Sequence, residues 1–239
     1  MKIAVFVEGQ TELIVARDFL LKYFEYCDID IQCRTLFADF KMHKAPYDYP
    51  NPEASMHFQI INVGNDNAVL SRILKREELM WNAGYDLIVG LRDMYSEEYR
   101  RVSQIVSDVV IGKFKSVSRA TIVDKAVRPD SIFLSFAIME AESWILGLSK
   151  VFEKLDQRLT DEFIDEKLNI NLRVIDPEHI FHPAQIVSKI YQLVDKKYRK
   201  KQGDIEAIVD KVEKQDIDEL LISDKCKSFN EFFENLRAI

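Results

Sequence analysis

At 239 residues, 47% of them apolar, the chain can bury one large core and is too apolar to be disordered. A formal net charge of −7 argues against a general nucleic-acid coat. Cys27, Cys33 and Cys226 show neither metal-ligand spacing nor an even framework, and read as ordinary thiols of a reducing compartment. No apolar run reaches membrane length and the N-terminal one is too short for a signal peptide, so a cytoplasmic protein with no membrane contact is expected.

Five unbroken apolar residues, Ile3 to Val7, lead into Glu8-Gly9-Gln10-Thr11-Glu12. A short apolar run ending at a glycine predicts a strand buried on both faces, as in parallel sheets. Glu8 then lies at the carboxyl end of a central strand, where open α/β sheets bind ligands. Gly9 is expected to let the backbone turn sharply, and Thr11 to cap a helix over residues 11–26.

A strand follows around Cys33 to Ala38. Residues 39–55, with Pro46, Pro50 and Pro52, read as a long loop placed to cover a site. Phe58 to Val63 is the next strand, and Asp66 or Asn67 the cap of a helix from Val69 to about Trp81. Tyr85 to Leu91 is a second near-continuous apolar strand that delivers Asp93, and a helix from about Ser96 to Gly112 follows it. Within Val127 to Ile138, the alternation of Ile132, Leu134, Phe136 and Ile138 predicts a strand running into Glu140, Glu142 and Trp144. From about residue 150 the periodicity is helical: Val151–Leu168, Pro183–Tyr198, Ile205–Val212 and Phe229–Leu236. The fold class expected is α/β, with a mostly parallel sheet over residues 1–148 and a mainly helical part over 149–239 packed on the same core.

Glu8, Asp93 and the pair Glu140 and Glu142 thus stand at the ends of three predicted strands, and in a parallel sheet those ends share one edge. Carboxylates crowded there repel one another, and a hard divalent cation relieves the repulsion, with Mg²⁺ preferring oxygen ligands. Glu140 is the better candidate ligand of its pair, with Glu142 in the metal set as the partner behind it or as the acid that starts the following helix. Trp144 reads as a core anchor, and His179 and His182 do not read as ligands.

Two basic clusters lie elsewhere. Residues 99–128 carry Arg100, Arg101, Lys113, Lys115, Arg119, Lys125 and Arg128 against Asp108 and Asp124, and a second cluster includes Lys200 and Lys201. Solvated helix faces produce such runs, and so do surfaces that hold a phosphate backbone.

The order strand, Glu8-Gly9, Thr11-Glu12, helix resembles the opening motif of Toprim domains, the metal-dependent catalytic domains of topoisomerases, primases and OLD-type nucleases. With Asp93-x-Tyr95, Glu140-x-Glu142-x-Trp144, His182-Pro183, Lys200 or Lys201 and Cys226-x-x-Phe229, the chain resembles a family of bacterial Toprim-like proteins. The resemblance implies a Toprim-like (Rossmann-like) sheet and a site holding Mg²⁺ or Mn²⁺. Glu8 would be base or ligand, Asp93 the principal ligand, and Glu140 the substitute for a second aspartate, whose usual position holds Tyr95. It implies a nuclease or related phosphodiester-cleaving enzyme, with nucleic acid held by Arg100, Arg101, Lys113, Lys115, Arg119, Lys200 and Lys201. Tyr95 also leaves open a non-catalytic module that binds a nucleotide, nucleic acid or partner protein. Relatives in phage defence suggest an effector completed by a protein from the same operon.

Overall fold

A computed structural model of the chain describes residues 1–36, 41–64, 68–95 and 105–237. Six strands form one sheet: β1 (Lys2–Val7), β2 (Ile29–Leu36), β3 (Met42–Lys44), β4 (Met56–Asn62), β5 (Leu87–Asp93) and β6 (Ile132–Ala137). They lie in the order β3-β2-β4-β1-β5-β6, parallel throughout except for β3, which pairs antiparallel with β2 at the edge. The strands carrying Glu8 and Asp93 are therefore neighbours, and β6 lies beside the second of them, as the sequence predicts.

Alternation along β1 divides the core. Ile3, Val5 and Val7 join the larger core on one face, with Leu13, Phe19 and Leu20 of α1 (Gln10–Tyr23). Ala4 and Phe6 face the other side, against Val69 and Ile73 of α2 (Val69–Asn82) and Ile122 of α3 (Asp108–Lys125). The connection from β1 to β2 therefore crosses one face and that from β4 to β5 the opposite face. The two diverge at β1, so a crevice opens between its carboxyl end and the ends of β4 and β5.

Among the described residues, seven short α-helices follow β6: α4 (Glu142–Gly147), α5 (Lys150–Leu155), α6 (Asp161–Leu168), α7 (Pro183–Gln192), α8 (Gln202–Lys211), α9 (Lys214–Leu221) and α10 (Lys227–Asn235). They bury Trp144, Ile190, Ile205, Phe229 and Phe232 in the same core as α1 and the odd positions of β1. Trp144 is wholly buried, stacked on Phe232 and edge-on to Phe229, while its indole Nε1 donates to Ser228 Oγ at 2.8 Å. The Cys226-x-x-Phe229 motif is core as well: Cys226 packs under Gly147, where an added Cβ would come 2.8 Å from its Sγ.

Several boundaries differ from expectation for local reasons. The segment read as one helix from Val151 to Leu168 breaks after Leu155, where Asp156 is extended, and restarts when Thr160 Oγ1 accepts from Phe163 N at 3.2 Å. Of the helix expected at about 96–112, residues 96–104 lie outside the described ones, 105–107 are not helical, and Asp108–Lys125 forms a helix that overlaps only its end. Residues 39–55 are not one loop, because Met42–Lys44 adds an edge strand and Tyr49 bridges to Ile31. The proposed caps Asp66 and Asn67 lie outside the described residues. No described helix is long and apolar enough to cross a membrane.

Candidate functional site

At the carboxyl ends of the central strands an open cleft of about 370 Å³ is lined by Glu8, Gly9, Glu12, Asn62, Asp93 and Lys200, among others. Each carboxylate arrives by a separate route. Glu8 follows β1 directly, and its Oε2 accepts from the backbone N–H of Asp93 at 2.9 Å, which ties the end of β1 to the end of β5. Asp93 is the last residue of β5 and only 9% exposed; its Oδ1 is buried with no hydrogen-bond partner among the described residues.

Glu12 sits in the first turn of α1, 4% exposed. Its carboxylate folds back over Gly9, where an added Cβ would stand 3.0 Å from Oε2. Gly9 therefore does not serve the sharp turn expected of it. Its φ of −149° is open to any residue, and what the missing side chain supplies is room for Glu12. Thr11 does not cap the helix either: Gly9 is the N-cap, and its carbonyl accepts from Leu13 N at 3.1 Å.

Electrostatics mark this group. Burial pushes the Asp93 carboxyl well above the ordinary aspartate range, and the neighbouring Glu12 and Glu8 add to it. Burial likewise raises Glu12 to about 7, with Glu8 contributing. Carboxyl groups whose charge is opposed chiefly by burial, and further by one another, would release their protons on binding a cation.

Glu140 and Glu142 are placed differently. β6 ends at Ala137, and the chain turns through Met139 at φ 67°, so Glu140 does not continue the alternation of the strand. Glu140 Oε2 accepts from Ala184 N at 3.3 Å, at the start of the helix opened by His182-Pro183, and Oε1 lies 3.3 Å from Lys200 Nζ. Glu142 is fully buried; its Oε1 accepts from the Tyr198 hydroxyl at 2.8 Å and its Oε2 lies 3.2 Å from Lys200 Nζ. Both carboxylates expected as ligands thus already have an internal cation. Burial works against the charge of Lys200, but Glu142, Glu140, Asp93 and Glu12 outweigh it and hold its pKa above the ordinary lysine range.

Lys200 and Met139 both adopt left-handed backbone, at φ 54° and 67°. Such conformations cost about 1–3 kcal/mol each and cluster where surroundings force them, often at functional sites. Lys200 is exposed as a residue, with about a third of its side chain accessible, yet its ammonium pairs with Glu140 and Glu142 and so belongs to the carboxylate centre. Lys201 beside it is exposed.

The first basic cluster is largely engaged elsewhere. Arg119 donates to Pro129 O at 2.7 Å and pairs with Asp130 at 3.0 Å, at the amino end of β6, whereas Asp93 pairs with Ala137 at the carboxyl end. Those ends are separated by five residue steps, about 16 Å along the strand. Lys115 forms an ion pair with Glu231. Lys113 is exposed, and Arg100 and Arg101 lie outside the described residues. Tyr95, at the position of a second aspartate in the resembling family, is 1% exposed, and its hydroxyl accepts from Ser107 N at 3.1 Å, so it anchors the start of α3.

The donor set suits a hard cation in part. Carboxylate oxygens are the right type, and the Oδ1 of Asp93, with no hydrogen-bond partner among the described residues, is a donor of that type. Among the described residues, however, no three His, Cys, Asp or Glu side chains converge as a ready-made metal cage. Mg²⁺ takes only one or two carboxylates and completes its shell with water and substrate phosphate, so Asp93 and Glu8 are the residues that could hold it. Compared with known proteins, the chain matches no family model, no curated protein and no solved structure.

Proposed function

We propose that the chain is a divalent-metal-dependent phosphodiesterase, a nuclease of Toprim type acting on nucleic acid, with its centre at the carboxyl ends of β1 and β5. The fold reading that goes with this is Toprim-like, within the Rossmann-like doubly wound class. The observation that carries the proposal is Asp93: a carboxylate nine-tenths buried, with one oxygen unpartnered, beside Glu8 and Glu12 in an open cleft.

Asp93 and Glu8 would hold Mg²⁺ or Mn²⁺, with Glu12 at the same edge. Once bound, the ion supplies Lewis-acid stabilisation of a phosphoryl oxygen and an acidified water. Glu8 keeps its carboxylate oriented through the Asp93 amide and is the group placed to take a proton from water. Lys200 and exposed Lys201 supply positive charge on the substrate side.

The test is cleavage of single- and double-stranded DNA and RNA with Mg²⁺ or Mn²⁺. Glu8→Gln should keep the fold and nucleic-acid binding while lowering cleavage by ~10² or more, the scale of lost acid–base catalysis. Cleavage unchanged in Glu8→Gln would remove the proposed role of Glu8.

A second reading has its own support. Tyr95 anchors the start of α3 and stands where the resembling enzymes carry an acid. A non-catalytic module binding a nucleotide or partner protein, in a phage-defence setting, would give binding without cleavage in the same assay.

A further inference from the structure

Glu140 and Glu142 come from the β6–α4 connection, Glu8 and Asp93 from β1 and β5, and Lys200 stands between the two sets. Its Nζ is 3.3 Å from Glu140 Oε1 and 3.2 Å from Glu142 Oε2, and the same side chain lines the cleft that Asp93 and Glu8 enter. Glu142 has a second partner in Tyr198, and Glu140 in the Ala184 amide. These are the carboxylates that a second divalent ion would need. Two-ion centres place their metals about 3.5–4 Å apart, so the second ion would have to occupy the space that the ammonium takes. Glu142 Oε2 and Asp93 Oδ1 are both buried without a hydrogen bond among the described residues, but the Glu142 oxygen has the Lys200 ammonium at 3.2 Å, whereas Asp93 has no ion pair among them.

We infer that the Lys200 ammonium takes the place of a second metal ion, making this a one-ion centre with a built-in cation. The inference rests on the proposed metal-dependent function and specifies it further. One divalent ion binds at Glu8 and Asp93, and Glu140 and Glu142 hold the lysine instead of a metal. The left-handed backbone at Lys200 is consistent with a side chain directed inward at a conformational cost. The arrangement also accounts for the fully buried Glu142, which does not itself line the cleft, since buried charge must be paired.

The experiment is a titration of the full chain with Mn²⁺, followed by the electron paramagnetic resonance signal of free Mn²⁺, with folding checked by circular dichroism. Wild type should take up one ion per chain, and Lys200→Arg, which keeps the charge, should also take up one. Lys200→Ala should take up two. Asp93→Asn should lose the wild-type ion and Glu140→Gln should keep it, and this pair decides the matter if Lys200→Ala does not fold. Two ions in wild type would overturn this inference alone. One ion in folded Lys200→Ala, or loss of the ion in Glu140→Gln with retention in Asp93→Asn, would do the same. No ion in wild type would overturn both the inference and the metal reading beneath it.

Discussion

At the scale of single residues, Asp93 shows what the centre costs. A buried carboxyl among Glu8 and Glu12 resists ionisation, and folding must hold the three together without a bound cation. Asp93→Asn removes the charge at nearly constant volume. It should therefore raise stability in metal-free buffer by about 1 kcal/mol while abolishing the Mg²⁺-dependent part of the stability. Urea denaturation with and without Mg²⁺ measures both; equal stabilisation of wild type and variant by Mg²⁺ would take Asp93 out of the site. Glu12 belongs to the same group, yet its role is hidden in the sequence. The Gly9-x-x-Glu12 spacing is that of a capping box, in which the acid at the third helical position folds back towards the N-cap. Read that way, the spacing would have placed the Glu12 carboxylate over Gly9 and into the cleft.

Among the elements, α10 carries the clearest pH dependence. Glu178, in the turn Pro177–His179, accepts hydrogen bonds from Ser228 N and Oγ at the start of this helix, and Ser228 Oγ in turn accepts from Trp144. Burial raises the Glu178 carboxyl to about 7 from the ordinary 4.5. The folded state therefore holds a proton that the unfolded state releases. This contribution to stability is present in full below pH 4.5 and is lost as pH rises through 7. Glu178→Gln keeps an acceptor and cannot ionise, so it should match wild type near pH 4.5 and exceed it by up to ~3 kcal/mol at pH 8. Thermal or urea unfolding across that range checks it, and parallel curves for the two proteins would contradict it. Gly90 gives a steric test: a Cβ there would stand 2.5 Å from Leu134 Cδ1 on the neighbouring strand and 2.9 Å from Ile73 Cδ1 of α2. Gly90→Ala should cost about 1–3 kcal/mol of unfolding free energy by overpacking, read from its denaturation midpoint.

Elements were legible in the sequence where burial alone decides them. β1 and β5 are apolar on both faces and α2 shows plain periodicity, so these three stand close to where the sequence puts them. By contrast, α7 starts at the expected Pro183 but ends at Gln192, six residues short of Tyr198. The helical region was less legible because its breaks depend on tertiary partners. Asp156 interrupts one predicted helix while pairing with Arg158 and Lys196, and α9 goes unpredicted in a stretch as rich in charge as in apolar residues. The basic cluster misled for the complementary reason: composition shows charge but not whether Lys115 and Arg119 are already paired.

For the whole molecule, sheet order converts separated motifs into one centre. Divergence of the two crossovers at β1 brings Glu8, Asn62 and Asp93 to the same edge, and the C-terminal helices then carry Lys200 onto it. The helical part is therefore not an appendage to the site. It supplies the cation and, through Tyr198 and Ala184, the partners that hold Glu142 and Glu140. The most direct measurement is anomalous diffraction from crystals soaked in Mn²⁺ at pH 8. A single peak within ligand distance, about 2.0–2.2 Å, of carboxylate oxygens of Glu8 and Asp93, with Lys200 still against Glu140 and Glu142, is the predicted result. No peak in the cleft, or a peak seated between Glu140 and Glu142 with Lys200 displaced, would contradict it.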